Sequence, residues 1–321
     1  MAEIILTIIA GLVLFLFAVS SLSETIHKAL GKNAEKWLLK FTSNTFTAIL
    51  TGIIVTTLLD SSSAVIIITI VFVNSKLLSF RQSMGIVLGA NIGTTVSSQI
   101  LAMDISKYSP VLLLIGFILL LLAKSEKLGN TAKVILYFGV LFFGLFTMEK
   151  AVEPLRDNPE FIKKLASTEN PITGAISGAL VTLIIQSSSA TVGMAIILTK
   201  KGLLGLGGAI AVMLGAELGT CSDTLIATIR GSREALKTGL FHLCFNILSI
   251  ALGLLFFSPF VKFIQWIGQD APIERSVANA HMIFNIGGVL IFVWALPFFE
   301  KFLNLLVRKK QTMDAMPSAA A

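Results

Sequence analysis

The sequence predicts an all-α integral membrane protein of two inverted repeats, each with a re-entrant helical hairpin and a broken transmembrane helix. Three observations support this prediction: long apolar segments, motifs that recur at a fixed offset of 126 residues, and apolar arms too short to cross a bilayer. The first indicates a membrane protein, the second the repeats and the third the hairpins.

The composition is that of a membrane protein. Of the 321 residues, 55% are apolar and 13% are charged, and the mean hydropathy is +0.87, whereas a soluble domain carries about 25% charged residues. A spanning helix needs about 20 apolar residues. The first apolar segment lacks a basic start and a small-residue cleavage site, so we expect a permanent helix rather than a signal peptide. The predicted spans are 4–22, 81–102, 109–123, 134–148, 240–257 and 282–299.

The basic residues lie almost wholly in short gaps between apolar segments, where they orient a membrane protein. The net charge of +7 therefore does not indicate a nucleic-acid partner. The distribution of the basic residues predicts a carboxy terminus in the cytoplasm. The protein is expected in the inner (plasma) membrane of the cell, where it would cross the lipid bilayer several times. Residues 311–321 are small and polar and are predicted to be a disordered tail. Cys221 and Cys244 lie within apolar segments and are expected to be free thiols.

Two motifs recur at the same offset. Residues 60–64 (DSSSA) return as 186–190 (QSSSA), and residues 89–94 (GANIGT) return as 215–220 (GAELGT), each 126 residues later. This indicates an internal duplication. We assign 1–130 to the first transport repeat, 131–235 to the core of the second, and 236–310 to carboxy-terminal helices that complete the second. Further identities at this offset are Asn44 and Asn170, Thr47 and Thr173, Gly52 and Gly178, Val55 and Val181, and Thr56 and Thr182.

The apolar arms around each serine triplet are short. Residues 47–59 would form about 20 Å of helix, against a hydrocarbon core of about 30 Å, and residues 64–73 would form less. These lengths predict a re-entrant hairpin with its serines near mid-membrane. Residues 172–199 predict a second hairpin of the same kind in the second repeat. The first repeat then crosses three times, through 4–22, 81–102 and 109–123, so the second starts on the opposite side and the repeats are inverted.

The alternative is one long tilted helix through residues 47–73, which would give four crossings and parallel repeats. The loop charges place the carboxy terminus inside under either threading and do not discriminate between them. Residues 23–43 carry lysines at four-residue spacing and predict an amphipathic helix in the interface plane. Residues 149–169, the corresponding stretch of the second repeat, are polar and rich in turn signals. Both are expected to be scaffold.

The repeated motifs combine residue types that suit ion binding inside a membrane. Two glycines four apart around an amide or carboxylate predict a broken helix, which survives at mid-membrane only where it lines a cavity or is buried in protein. At such a break, half-helix amino termini attract an anion while freed carbonyls and hydroxyls coordinate sodium. Small residues also permit close helix packing, but two motif pairs at one offset favour a binding site.

The histidines have a more ordinary interpretation. His242 and Asn246, and likewise His281 and Asn285, lie four apart on one helix face and are expected to hold helices together by hydrogen bonds. The sequence has no metal-ligand spacing, no glycine-rich nucleotide loop and no general base near the serines. We therefore do not expect an enzyme or an ATP-driven pump.

At these motifs the sequence resembles the type II sodium/phosphate cotransporter family, whose members carry a QSSS motif in each of two inverted repeats. Residues 186–189 match that motif in full, and residues 89–94 match the family's glycine-asparagine-glycine-threonine element. The resemblance covers nearly the whole chain, which is expected to be a transport core only. It implies phosphate contacts from the triplets, with hydroxyls and carbonyls nearby for sodium. The implied substrate-binding residues are Ser61, Ser62, Ser63, Gln186, Ser187, Ser188, Ser189, Asn91 and Thr94.

Two carboxylates depart from the family pattern. Asp60 stands where the family has glutamine, and Glu217 stands where asparagine is expected. An ionised carboxylate beside phosphate repels it unless a cation lies between them or the carboxylate is protonated, so at least one of the two is expected to face sodium. Either could instead titrate and couple transport to protons. The sodium candidates are Asp60, Thr95, Glu217, Thr220 and Ser222.

The resemblance implies a secondary active transporter, a sodium-coupled phosphate symporter that works by alternating access. Transport of another oxyanion, proton coupling, export and a passive anion channel remain open alternatives. No cofactor is expected besides sodium as the coupling ion, and the chain is expected to act as a monomer or homodimer.

Overall fold

The computed structural model describes residues 2–103, 106–154, 169–229 and 231–307, and every regular element within these ranges is helical. The all-α prediction is confirmed. Short 3-10 turns, Ser106–Tyr108 and Val293–Ala295, precede α5 and α14. The α-helices are α1 Ala2–Lys40, α2 Thr45–Leu59, α3 Ser62–Asn74, α4 Phe80–Leu101, α5 Ser109–Leu122, α6 Glu126–Val152, α7 Pro171–Ile185, α8 Ser188–Lys200, α9 Leu206–Gly219, α10 Cys221–Ile226, α11 Arg233–Leu255, α12 Phe257–Ile267, α13 Ile273–Phe292 and α14 Leu296–Leu306.

Six helical segments of the described ranges are long and apolar enough to cross a membrane. The chain is therefore a multi-pass membrane protein, and five of the predicted spans correspond to these segments. The span predicted over 109–123 is an apolar helix that is shorter than expected. Helix α5 has 14 residues, about 21 Å, because Pro110 lies at its start and Ala123 turns to an extended backbone before Lys124. The segments are Ala2–Ile26, Phe80–Leu101, Glu126–Val152, Leu206–Ile226, Arg233–Leu255 and Ile273–Leu306.

The amino-terminal helix differs from its prediction. Helix α1 continues without a break from Ala2 to Lys40, so residues 23–40 extend the first span and do not form a separate helix in the interface plane. Residues 12–30 contain no proline or glycine that would interrupt the helix, and hydropathy alone does not mark a bend. Most of the polar stretch 149–169, and the tail 311–321, lie outside the described residues.

The exterior is apolar and the interior holds the polar groups, as a bilayer requires. Leu6 of α1 is 67% exposed and Leu121 of α5 is 70% exposed, whereas Glu217 is 4% and His281 0% exposed. Polar residues that a soluble protein would place outside are thus buried between helices.

The duplication extends to the bounds of the helices. Helices α7 and α8 begin and end 126 residues after α2 and α3. Asn44 caps α2 through a bond from the amide of Thr47, and Asn170 caps α7 through a bond from the amide of Thr173. The residues that follow α2 and α7, Asp60 and Gln186, both adopt the left-handed conformation, with φ of 51° and 60°. The alternative of one long helix through 47–73 is therefore wrong.

Glycines bring the first helix of each pair into backbone contact with the helix that carries the second motif. A Cβ at Gly89 of α4 would overlap the carbonyl oxygen of Ile49, and a Cβ at Gly215 of α9 would overlap that of Ala175. These contacts repeat at the offset of 126 residues. Gly93 and Gly219 likewise press against Thr56 and Thr182.

This packing corrects the prediction of a broken helix in the first repeat. Helix α4 continues from Phe80 to Leu101 through the whole of residues 89–94, because its glycines allow close packing and do not interrupt the helix. In the second repeat α9 ends at Gly219 and α10 begins at Cys221, so the predicted break is present there.

The glycine contacts also fix the direction of α3. Ala48 of α2 lies beside Gly85 of α4, and Thr56 lies beside Gly93, so α2 and α4 run parallel. Because α4 begins next to the start of α2, the intervening α3 returns from the far end of α2 to the near end.

Helices α1 and α6, which correspond at the offset of 126 residues, pack antiparallel. Gly11 near the start of α1 contacts Gly144 near the end of α6, and the rings of Phe17 and Tyr137 meet edge to face at 6.1 Å. The end of α1 at Lys28 lies beside the start of α6 at Lys127. The two corresponding helices therefore point in opposite directions.

Candidate functional site

A cavity of about 750 Å³ brings the two serine triplets together. Helix α1 supplies part of its wall, and Glu24 is the carboxylate from that helix. Ten of the fourteen predicted site residues line the cavity: Asp60, Ser61, Ser62, Ser63, Thr94, Gln186, Ser187, Ser188, Ser189 and Thr220.

Local backbone geometry turns each triplet into the cavity. After the left-handed residue, Ser61 and Ser187 adopt extended conformations and become the N-caps of α3 and α8. Their side-chain oxygens accept bonds from the amides of Ala64 at 3.1 Å and Ala190 at 3.2 Å. Both helices therefore begin at the cavity wall, where first-turn amides and the positive dipole end favour an anion.

An anion in the cavity would have to be held by neutral donors. None of the described residues that line it is lysine or arginine, and its two carboxylates are Asp60 and Glu24. Glu24 pairs with Lys28 at 2.6 Å. Serine hydroxyls, the Gln186 amide and backbone N–H groups are thus the available anion donors.

Two further residues, Ser97 and Asp223, hold the first triplet in place, and sequence reasoning missed both. The Ser97 hydroxyl donates to Asp60, and the Ser63 hydroxyl donates to Oδ2 of Asp223 at 3.2 Å. Asp223 follows Ser97 by 126 residues, so the two belong to equivalent positions. A carboxylate inside an apolar segment at the repeat offset was the signal available in the sequence.

The remaining predicted residues lie outside the cavity lining. Asn91 donates to the carbonyl of Val87, one turn earlier in its own helix, at 2.9 Å. Thr95 donates to the carbonyl of Ile92 at 2.7 Å, and Ser222 to that of Gly219 at 3.0 Å.

Glu217 has nitrogen partners. Its Oε1 lies 2.5 Å from Nε2 of His281 and 3.5 Å from Nδ2 of Asn285. Nδ1 of His281 lies 2.6 Å from the Ser98 hydroxyl. These groups are buried and join α4, α9 and α13, which fits the interpretation that the histidines hold helices together.

The second histidine makes a similar set of contacts within the second repeat. Nδ1 of His242 lies 3.0 Å from the Thr224 hydroxyl, and Asn246 donates to the carbonyl of Glu217 at 2.8 Å. Thr224 follows Ser98 by 126 residues, so the two histidines contact equivalent positions, one in the first repeat and one in the second. Cys221 is buried beside this cluster, and both cysteines are free thiols.

In the described ranges no three His, Cys, Asp or Glu side chains come close enough together to hold a metal ion. A hard cation in the cavity would therefore need hydroxyl and carbonyl oxygens beside one or two carboxylates.

Comparison with known proteins gives one family. The family described as "Na+/Pi-cotransporter" matches residues 14–150 and 160–290. A Bacillus subtilis (strain 168) protein named "Uncharacterized protein YqeW" is 30% identical over 310 residues, which are 96% of this chain and 99% of that protein. No solved structure shows a significant match.

Two groups of relatives have names that state a substrate. The Escherichia coli (strain K12) protein "Putative inorganic phosphate export protein YjbB" is 28% identical over 269 residues, 82% of this chain and 48% of that protein. The Rattus norvegicus "Sodium-dependent phosphate transport protein 2A" is 29% identical over 159 residues, 48% of this chain and 22% of that protein. The chain thus spans about half the length of the first and a smaller share of the second.

Proposed function

Because the chain belongs to the Na+/Pi-cotransporter family, we propose that it is a secondary active transporter that moves inorganic phosphate together with sodium. The observation that carries this proposal is the cavity of about 750 Å³, into which both serine triplets face. Names of relatives that mention phosphate, and in one case sodium, support it.

Phosphate binds, in this proposal, between the amino termini of α3 and α8. Ser63 contributes its hydroxyl oxygen, while the hydroxyls of the other triplet serines, the amide of Gln186 and the open amides of the first helical turns donate to the phosphate oxygens. These donors place no net charge in the membrane, so they remain stable when the cavity is empty. Asn91 and Thr94, which lie on one face of α4, complete the proposed set of phosphate-binding residues.

Sodium binds beside phosphate on the first-repeat side. Asp60 is the sodium candidate with a negative charge among the cavity-lining residues, and Thr220 supplies a hydroxyl from the second repeat. A cation next to Asp60 offsets the repulsion between that carboxylate and phosphate, which links the binding of the two ions. Thr95 and Ser222 would join only after movement of their helices, and the nitrogen partners of Glu217 favour a different role for it.

Alternating access follows from two inverted repeats, 1–130 and 131–235 with 236–310, each with a re-entrant hairpin. Antiparallel packing of the corresponding helices α1 and α6 supports the inversion. The return of α3 beside α2, with both too short to cross a bilayer, supports the hairpin. Rocking one repeat against the other would open the shared cavity first to one side and then to the other. The carboxy terminus lies in the cytoplasm.

The test is uptake of radiolabelled phosphate into proteoliposomes under an inward sodium gradient, an inward potassium gradient or an acid-outside gradient. We expect uptake with sodium alone, and Ser188→Ala should reduce it. Uptake driven only by protons would replace sodium as the coupling ion, and phosphate currents that do not depend on a sodium gradient would indicate a passive anion channel. Efflux of preloaded phosphate under an outward sodium gradient, without uptake under an inward one, would indicate export, the direction in the name of the Escherichia coli relative.

A further inference from the structure

One hydrogen bond crosses between the repeats at the cavity wall. The Ser63 hydroxyl of the first repeat lies 3.2 Å from Oδ2 of Asp223 in the second, and the Ser222 hydroxyl lies 3.3 Å from Oδ1. An ionised carboxylate only accepts hydrogen bonds, so Ser63 is the donor in this pair. The single proton of the Ser63 hydroxyl therefore points away from the cavity that Ser63 lines.

This bond determines what Ser63 offers to a bound anion. With its proton committed to Asp223, the oxygen presents lone pairs to the cavity and acts as an acceptor. Ser189, the equivalent residue in the second repeat, also lines the cavity, and within the described residues it makes no hydrogen bond to a carboxylate. The cavity thus has donors on the second-repeat side and an acceptor on the first-repeat side.

A hydrogen-bond acceptor in an anion site can form a hydrogen bond only with an anion that carries a proton. Phosphate at neutral pH always has at least one P–OH group, and arsenate has the equivalent As–OH. Sulfate has none, so its oxygens would face the lone pairs of Ser63 without a hydrogen between them. Sites built to hydrogen-bond a substrate hydroxyl reject analogues that lack it more strongly than apolar pockets reject a methylene.

We propose that Asp223 is a specificity-determining residue that, through Ser63, makes the cavity prefer protonated oxyanions over sulfate. This inference rests on the proposed phosphate transport. Asp223 acts as a positioning residue, because it orients the hydroxyl that touches the anion and does not itself line the cavity.

The experiment is competition for radiolabelled phosphate uptake in proteoliposomes, with unlabelled arsenate or sulfate as competitor. In the native protein we expect arsenate to compete at concentrations near those of phosphate and sulfate to compete at least about 10-fold more weakly. Asp223→Ala removes the acceptor and frees the Ser63 proton to point at the anion. Asp223→Asn keeps the size of the side chain and weakens the acceptor. In both, sulfate should compete about 10-fold better relative to arsenate.

Two further variants separate specificity from general damage. Ser189→Ala removes a donor and should weaken competition by arsenate and sulfate equally, which leaves their ratio unchanged. Asp223→Glu retains a carboxylate and should preserve the preference for arsenate. Thermal unfolding in detergent checks that each variant is folded, and binding of phosphate and sulfate to the purified protein by calorimetry gives the same ratio without transport.

The outcomes distinguish the two proposals. A native protein that takes up and binds no phosphate under any gradient would overturn phosphate transport and the role of Asp223 with it. Native uptake with an arsenate-to-sulfate ratio that stays the same in Asp223→Ala and Asp223→Asn would overturn the role of Asp223 alone. A native protein that binds sulfate as well as phosphate would also overturn it.

Discussion

Oε1 of Glu217 lies 2.5 Å from Nε2 of His281, and Nδ1 of the same histidine lies 2.6 Å from the Ser98 hydroxyl. The exposed fraction of the His281 side chain is 0%, and that of Glu217 is 5%. A single histidine therefore links the helix that carries the first glycine motif to the helix that carries the second. We infer that this contact helps to hold α4, α9 and α13 together.

The Glu217–His281 contact predicts a stability effect. Replacing Glu217 with alanine leaves His281 buried without its carboxylate partner, and a buried polar group that loses its hydrogen-bond partner costs about 1–3 kcal/mol. We expect a large fall in the melting temperature of the purified protein in detergent. The control is Arg81→Ala, which breaks the exposed Arg81–Glu300 pair at 3.7 Å and should cost about 0–1 kcal/mol. Equal shifts in the two variants would contradict the prediction.

The backbone contacts of the motif glycines predict a second stability effect. Gly89→Val and Gly215→Val should each force α2 from α4, or α7 from α9, because no space exists for a Cβ at either position. We expect loss of the folded monodisperse peak in size-exclusion chromatography. Gly287→Ala in α13, where a Cβ would meet nothing within 4 Å, is the matched control and should fold normally. Normal folding of both valine variants would show that the helices can separate without cost.

The repeat and the breaks after residues 59 and 185 could be predicted from the sequence. Offset and arm length are local properties of the chain, and the left-handed Asp60 and Gln186 stand where the arms were expected to end. The glycine motifs were harder, because the same residues permit a break or a close contact, and only the partner helix decides. In α4 the close contact prevails, and in the second repeat a break follows Gly219.

Contacts between distant residues could not be predicted from one sequence. The sequence indicated Glu217, Ser63 and His281 separately, but the pairs Glu217–His281 and Ser63–Asp223 depend on how the repeats pack. The extension of α1 to Lys40 was missed for another reason, since lysines at four-residue spacing are equally compatible with a helix that continues beyond the membrane.

The second triplet predicts an effect on phosphate affinity. Ser188→Ala removes a hydroxyl from the first turn of α8, at the cavity wall. A hydrogen bond to a charged group contributes about 1.5–3 kcal/mol, so the KM for phosphate should rise about 10-fold to 100-fold. Ser109→Ala is the control, because the Ser109 hydroxyl is buried without a hydrogen-bond partner in the described part of the chain. An unchanged KM in Ser188→Ala would remove that residue from the site.

The charge of Asp60 predicts the sodium dependence of transport. Asp60→Asn keeps the shape of the side chain beside Ser97 and removes the negative charge from the cavity wall. If sodium lies between Asp60 and phosphate, half-maximal uptake should require about 10-fold more sodium, while uptake at saturating sodium falls less. Uptake by the variant is measured as a function of sodium concentration at fixed ionic strength. A sodium dependence identical to that of the native protein would exclude Asp60 as a ligand.

Inverted repeats predict the sides on which the corresponding helices begin. Because α1 and α6 pack antiparallel, Glu3 at the start of α1 and Lys127 at the start of α6 should face opposite sides of the membrane. In a chain whose two cysteines are replaced by alanine, Glu3→Cys and Lys127→Cys are labelled with a membrane-impermeant maleimide in vesicles of known orientation. Lys28→Cys, which lies beside Lys127 just beyond the far end of the first span, is the control and should react from the same side as Lys127→Cys. Two antiparallel helices that both cross the bilayer begin on opposite sides. Labelling of Glu3→Cys and Lys127→Cys from the same side would therefore contradict the inverted repeats.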